Sequence, residues 1–367
     1  MGKDERVSFD GEGVFENGEL FDADKAVVAA KNGFHVDFLF PWQRMVIANI
    51  LGGEEALLED ESFSNHDDDD EICRGRQIVI LPTGAGKSMC FLVPALLLQG
   101  ATLVIYPLLA LMSDQKRRME AAGIRCVVFK GGLSDEEKSE NYKALIDEAN
   151  PARVIIANPE ILQSEELLEH LSKVKISHIA IDEAHCVSEW GDSFRPSYLE
   201  LGKIIRRLDV KLVTAFTATA SKEVLDRIGE ILFDGKYHLL RGASDRANIH
   251  YEVRYAYAKK KAVLEAALTM KKPMIIFCGT RRRAEEMSRI CAAYFGSTET
   301  RFYHAGMTKE EKDAVEKWFF TSKTGILAAT CAFGMGIDKP DIASVVHLDC
   351  PNHLEAFVQV SSLISWL

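Results

Sequence analysis

A doubly wound α/β fold, present in two units, is what this 367-residue sequence predicts, and three observations predict it. From about residue 77, short and wholly apolar runs alternate with amphipathic stretches: Ile78-Val79-Ile80-Leu81, Leu103-Val104-Ile105-Tyr106, Val154-Ile155-Ile156-Ala157 and Ile179-Ala180-Ile181. Strands that are apolar on both faces belong to parallel sheets covered by helices on both sides. Helical stretches fall between the runs, among them Asp135 to Asn150 and Ser221 to Leu232, the latter with Ser221 placed to cap its first turn. The pattern then pauses from Gly235 to Ala258 and restarts with Met274-Ile275-Ile276-Phe277-Cys278, Gly325-Ile326-Leu327-Ala328-Ala329 and Ser344-Val345-Val346-His347-Leu348. The expected organisation is an N-terminal extension over 1–32, a first domain over 33–242 and a second over 243–367. The second is expected to be incomplete at its C-terminus, short of a final strand.

Composition narrows the class. Hydrophobic residues make up 47% and charged residues 27%, enough to bury sizeable cores. No run approaches ~20 uninterrupted apolar residues, so no membrane span is expected, and the charged N-terminus lacks the apolar segment of a signal peptide. The reading is an intracellular protein. Its eight cysteines include no closely spaced pair, so no zinc site is predicted, and core packing is their expected role. The net charge of −11 argues at first against a nucleic-acid partner. Much of it is concentrated in one acidic stretch, read as an inserted surface loop over 52–73, where Asp67-Asp68-Asp69-Asp70 forms a run of like charge. Basic clusters stand elsewhere, at Lys259-Lys260-Lys261 and Arg281-Arg282-Arg283.

The sharpest chemical signal is Leu81-Pro82-Thr83-Gly84-Ala85-Gly86-Lys87-Ser88, set between an apolar strand and the apolar helical stretch Met89 to Leu96. Glycines such as Gly84 and Gly86 let backbone amides wrap phosphate, and the following helix start adds positive partial charge. Thr83 belongs to the same wrap, Lys87 would reach the β and γ phosphates, and the Ser88 hydroxyl would bind Mg2+. Leu81 stands where the strict motif has its first glycine, so the loop is a variant. A magnesium nucleotide site needs a further carboxylate from a neighbouring strand end. His178-Ile179-Ala180-Ile181-Asp182-Glu183-Ala184-His185 supplies it: Asp182 would hold the ion and Glu183 would orient or deprotonate the attacking water.

The residues that follow resemble one family closely. Asp182-Glu183-Ala184-His185-Cys186-Val187-Ser188-Glu189-Trp190-Gly191-Asp192-Ser193-Phe194-Arg195-Pro196 is similar to the acidic box and aromatic-rich loop of RecQ helicases. Thr217-Ala218-Thr219-Ala220 resembles their coupling motif, and Ala332-Phe333-Gly334-Met335-Gly336-Ile337-Asp338-Lys339-Pro340 their fifth motif. Tyr106 to Gln115, Asp245 to Ile249 and Tyr303 to Met307 also match, so the resemblance runs in order from about Gly33 to Gln359. It implies two RecA-like domains, use of ATP with Mg2+, 3′-to-5′ movement on single-stranded and forked DNA, and roles in recombination and repair. A nuclear location follows in a eukaryote and a cytoplasmic one otherwise.

The resemblance also assigns residues. His185 joins Lys87, Asp182 and Glu183 in the hydrolytic group, and Gln43, in Phe40-Pro41-Trp42-Gln43, would read adenine. The family usually carries arginine at the place of Phe40. Gly336 and Asp338 would approach the nucleotide. Trp190, Phe194, Arg195, Thr217, Thr219 and Thr330 would face nucleic acid, the two aromatic rings offering stacking faces worth ~1–3 kcal/mol per base.

RecQ relatives continue into a sixth motif with two Gly-Arg pairs, whereas Gln359 is followed here by Val360-Ser361-Ser362-Leu363-Ile364-Ser365-Trp366-Leu367. An arginine finger can contribute ~4–7 kcal/mol to the transition state. The expectation is therefore a chain that binds ATP and DNA but hydrolyses ATP poorly. Two other readings stand beside the helicase: a catalytically weakened ATP- and DNA-binding fragment, and an RNA helicase of the same superfamily.

Overall fold

Apolar residues on both faces of a strand require cover on both sides, and the structure provides it twice. The computed structural model describes residues 22–60, 75–82, 84–107, 109–189, 196–242, 249–333, 339, 341–351, 357 and 361. Strands β1 (Arg76–Ile80), β2 (Ala101–Ile105), β3 (Cys126–Phe129), β4 (Val154–Ala157), β5 (Ile176–Ile181), β6 (Leu212–Thr217) and β7 (His238–Arg241) form one sheet in the order β3-β4-β2-β5-β6-β1-β7. Strands β8 (Met274–Phe277), β9 (Thr300–Tyr303), β10 (Ile326–Ala329) and β11 (Ser344–His347) form another in the order β11-β8-β10-β9. Every pairing in both sheets is parallel.

The helices are α1 (Asp22–Phe34), α2 (Pro41–Asp60), α3 (Met89–Leu97), α4 (Leu109–Ala121), α5 (Asp135–Leu145), α6 (Glu165–Leu171), α7 (Cys186–Glu189), α8 (Leu201–Leu208), α9 (Lys222–Phe233), α10 (Lys259–Thr269), α11 (Arg281–Phe295) and α12 (Lys309–Thr321). Alternation along β1 sorts its side chains between two cores. Ile78 and Ile80 join Phe129, Ile155, Leu201 and Ile228 beneath α8 and α9. Val79 joins Ala30, Ile47, Phe91 and Phe216 beneath α1, α2 and α3. The second sheet repeats the arrangement, with Met274 and Ile276 in one core and Ile275 and Phe277 in the other.

Helix starts follow local chemistry. The Ser221 hydroxyl accepts from Val224 N at 3.4 Å and opens α9, as its position predicts. At α5, Ser134 and Glu137 form a reciprocal capping box. This helix was expected to reach Asn150 and ends at Leu145 instead. The Asp147 carboxylate accepts from the backbone N–H of Ala149 and of Asn150, and this Asx-type turn supplants the helical ladder.

The acidic stretch also departs from its expected form. Helix α2 continues to Asp60, so residues 52–60 are helical rather than loop; residues 61–74 lie outside the described residues. Buried Ile50 and Leu51 hold the helix to the core, and a Cβ at Gly53 would lie 3.0 Å from Gly75 Cα, a tight approach that a side chain could make only if its neighbours shifted. Among the cysteines, Cys90, Cys186, Cys278 and Cys291 are buried as core packing requires, whereas Cys331 and Cys350 are exposed.

Candidate active site

Parallel strands bring their C-terminal ends to one edge of a sheet, where ligands bind in α/β folds. At that edge of the first sheet β1, β5 and β6 deliver the phosphate loop, the two acidic residues and the coupling threonines. Leu81 N donates to Thr217 O at 3.0 Å, which fixes the loop's departure to the end of β6. Gly84 and Gly86 have φ of +82° and +72°, backbone states that side chains disfavour. The chain then enters α3 through Met89 N to Gly86 O and Cys90 N to Lys87 O.

Lys87 points into this edge. Its ammonium is buried and has no hydrogen-bond partner among the described residues; Glu183 Oε1 lies at 3.9 Å, beyond hydrogen-bond reach. A buried cation without a hydrogen-bond partner is costly, and a site that receives an anionic ligand is where such a cost is tolerated. The arrangement fits a polyphosphate.

Asp182 and Glu183 end β5. Glu183 has φ +50°, an uncommon state for a residue with a side chain and a form of strain that concentrates at functional sites. Ala184 N donates to Phe216 O at 2.8 Å and holds the distorted turn against β6. Burial lifts the Asp182 carboxyl above the ordinary carboxylate range, Lys87 opposes the shift and the Glu183 charge adds to it. Burial acts the same way on Glu183, but Lys87 and His185 outweigh it and hold Glu183 low. Glu183 is thus the ionised member, suited to accept a proton or orient water. The Asp182 carboxylate and the Ser88 hydroxyl are hard oxygen donors of the kind magnesium takes.

His185 continues the chain of contacts. Its Nδ1 lies 3.3 Å from Glu183 Oε2 and 3.1 Å from Thr217 Oγ1. Thr217 Oγ1 donates to Thr219 O at 2.7 Å, so it accepts from His185 and the imidazole carries its proton on Nδ1. Thr217 was expected at nucleic acid. The structure buries its side chain fully at the end of β6 and bonds it to His185, so it presents no exposed face there. Thr219 is half-buried on the loop beyond.

Gln43 is also placed at this edge. It is buried, donates from Nε2 to Gly86 O at 3.0 Å and accepts from Phe40 N at 2.8 Å. Trp42 was not singled out from sequence, yet its indole N–H donates to Ala85 O at 3.2 Å. Its adjacency to Gln43 at the start of α2 was the available signal.

In the second sheet Thr330 follows β10, half-buried, with its N–H bonded to Tyr303 O. At the same edge Asp349, another residue sequence reading passed over, accepts from Gly279 N at 2.9 Å and pairs with Arg283. Thr83, Trp190, Phe194, Arg195, Gly336 and Asp338 lie outside the described residues.

Comparisons with known proteins agree with this chemistry. The family model "DEAD/DEAH box helicase" matches residues 40–228, and "Helicase conserved C-terminal domain" matches 258–362. The chain is 36% identical over 288 residues to "Probable ATP-dependent DNA helicase RecS" of Bacillus subtilis, covering 77% of this chain and 57% of that protein. It is 33% identical over 283 residues to the ATP-dependent DNA helicase RecQ of Haemophilus influenzae, covering 77% and 45%. The chain therefore spans about half the length of the curated relatives it matches. Among solved structures, the DUF1998 helicase MrfA bound to DNA and AMPPNP aligns with a TM-score of 0.70 at 18% identity, covering 94% of this chain and 49% of that one; this likeness concerns the fold alone.

Proposed function

We propose, for a chain that belongs to the DEAD/DEAH box helicases and within them to the RecQ family, that it is the ATP-driven motor region of a DNA helicase. Its two RecA-like units would couple ATP hydrolysis to 3′-to-5′ movement on single-stranded and forked DNA. The observation that carries the reading is the buried Lys87 ammonium, 3.9 Å from Glu183 and without a hydrogen-bond partner among the described residues. A γ-phosphate oxygen would satisfy it. Such a motor works where chromosomal DNA is, in the nucleus of a eukaryote or the cytoplasm of a bacterium.

The residues divide the work. Lys87 and the backbone at Gly84 and Gly86 grip the polyphosphate. Glu183, anionic and aimed by its strained turn, orients the attacking water and takes up its proton. Ser88 and Asp182 would hold Mg2+, which neutralises developing charge on the transferred phosphoryl group. His185 Nδ1 is bonded to Thr217 Oγ1 and lies 3.3 Å from Glu183 Oε2, so a shift of the Thr217–Thr219 segment would change the imidazole's place beside the water-orienting carboxylate. Nucleic acid bound near that segment would reach hydrolysis by this path. Trp190, Phe194 and Arg195, directly after the acidic residues, would add the stacking and phosphate contacts.

DNA is favoured over RNA by the family of the relatives and by the Trp190-to-Phe194 loop. Steady-state ATPase assays with single-stranded DNA and with RNA of the same length test it. Stimulation by DNA, with little from RNA, is expected. Stimulation by RNA alone would overturn the choice.

A further inference from the structure

The segment ahead of α10 carries the most exposed apolar side chains among the described residues. Residues 250–257 belong to no helix or strand, and among the described residues none of them makes a backbone–backbone hydrogen bond. From Tyr251 to Tyr255 the sequence Tyr251-Glu252-Val253-Arg254-Tyr255 alternates strand-forming and charged residues. Tyr251 is 52% exposed, Val253 81% and Tyr255 99%, and Tyr257 is fully exposed. Apolar side chains gathered in this way on a surface mark an interaction site.

Arg254 grips Glu252 with both arms, donating from Nε to Oε1 at 2.8 Å and from Nη2 to Oε2 at 3.1 Å. Residues two apart in an extended chain share a face, so the two charges lie on one face and Tyr251, Val253 and Tyr255 on the other. These five residues are also self-complementary. Laid antiparallel against a second copy about a two-fold axis at Val253, Glu252 of each copy faces Arg254 of the other. Tyr251 then faces Tyr255, and Val253 faces its own counterpart. Opposite charges and aromatic pairs directly across an antiparallel ladder are each stabilising.

We propose that the chain pairs with a second copy of itself through residues 251–255, as a short antiparallel ribbon between two protomers. Pairing gives partners to backbone groups that have none among the described residues, and it joins the charges of Glu252 and Arg254 into a group of four. Single-stranded nucleic acid is the other class of partner that exposed tyrosines could stack against. Such a platform needs cations free to meet phosphate, and here they are engaged: Arg254 with Glu252, Lys260 with Glu286 and Lys261 with Glu265. Charge complementarity therefore favours the second copy. The ribbon is small beside interfaces of ~1,600 Å², so a weak dimer is expected, with Kd on the order of 10 µM. The proposal is independent of the nucleotide site.

Sedimentation velocity of the whole chain, from about 1 to about 200 µM, reads the association, and a monomer–dimer equilibrium is expected. Glu252→Arg sets like charges opposite one another twice per dimer and should weaken pairing about tenfold, and Arg254→Glu should do the same. An equimolar mixture of those two variants places opposite charges across the ribbon again. It should restore association to within about threefold of the unaltered chain. A chain that stays monomeric to about 200 µM, or a dimer that neither charge reversal weakens, would overturn the proposal. So would a Tyr255→Ser loss confined to binding of a fluorescein-labelled oligothymidine, read by anisotropy, which would give the face to nucleic acid. Glu252, Arg254 and Tyr255 are all exposed, so the variants should keep the fold, and thermal melts check that they do.

Discussion

The carboxyl edges of the two sheets are built alike and charged differently. In the first, Lys87 and Glu183 have side chains only 12% and 20% exposed, and the lysine has no hydrogen-bond partner among the described residues. In the second, Arg281, Arg282 and Arg283 open α11 exposed to solvent, and Arg283, 51% exposed, pairs with Asp349, which is itself only 16% exposed. A buried cation carries a desolvation cost of several kcal/mol that a loose ion pair does not repay, whereas a cation half in solvent costs and contributes little. One topology thus carries an edge with a buried cation and an edge with a half-exposed one. Charge burial, rather than fold, separates them.

Removing the buried charge sharpens the contrast most. Lys87→Ala should lower kcat/KM for ATP at least a hundredfold, about 2.7 kcal/mol or more of transition-state stabilisation. The same change removes a buried cation paired with Glu183, and the two buried carboxyls left behind can take up a proton instead, so the melting temperature should change little. ATPase kinetics and calorimetric melts read the two effects separately. Loss of both activity and stability would mean that the lysine is structural and that the contrast between the edges is misread.

A second difference lies inside the sheets. His178 is fully buried in β5, bonded through Nε2 to Thr214 Oγ1 at 3.0 Å, and burial pushes its pKa down from 6.5 to about 3. His347 in β11, less deeply buried, is pushed down to about 4 by the same cause. Both imidazoles stay neutral in the fold and protonate first in the unfolded chain. Their contribution to stability is therefore complete above pH 6.5 and is lost as pH falls toward those values. At pH 5 the His178 term alone amounts to about 2 kcal/mol. Urea titrations at pH 7 and pH 5 should show that loss, and His178→Leu should flatten it. An unchanged pH dependence in the variant would place the acid sensitivity elsewhere.

What could be read from sequence tracks how local the physics is. The parallel sheets were legible because Ile78 to Leu81 and Met274 to Cys278 are apolar at every position, a pattern that needs no knowledge of neighbours. Gly84, Gly86, Lys87, Asp182 and Glu183 were legible for the same reason: phosphate chemistry fixes residue types at close spacing. The structure joins them at one edge, although their roles there remain those proposed. The end of α5 was not legible, because it depends on whether the Asp147 carboxylate turns back on its own backbone. Nor was the burial of Thr217, which requires knowing that His185 arrives from a strand 32 positions away. The engagement of Gln43 with Gly86 is a contact across 43 positions and left no local mark.

The smallest expected effects test the second edge. Arg283→Ala removes one arm of a half-exposed pair and should cost less than about 1 kcal/mol. Asp349→Ala should cost more, about 1–2 kcal/mol, because it also strips Gly279 N of its acceptor. Burial would raise the Asp349 carboxyl, but the Gly279 amide and then Arg283 hold it below its ordinary value of 3.8. Its contribution is therefore present above that value and fades only in strong acid, well below the window in which the histidines act. Chemical denaturation of the two variants at pH 7 ranks them. If Arg283→Ala proved the costlier change, the pair would be behaving as a buried one. The second edge would then share the charge burial of the first, and the distinction between them would rest on which ligand each holds rather than on how deeply its charges lie.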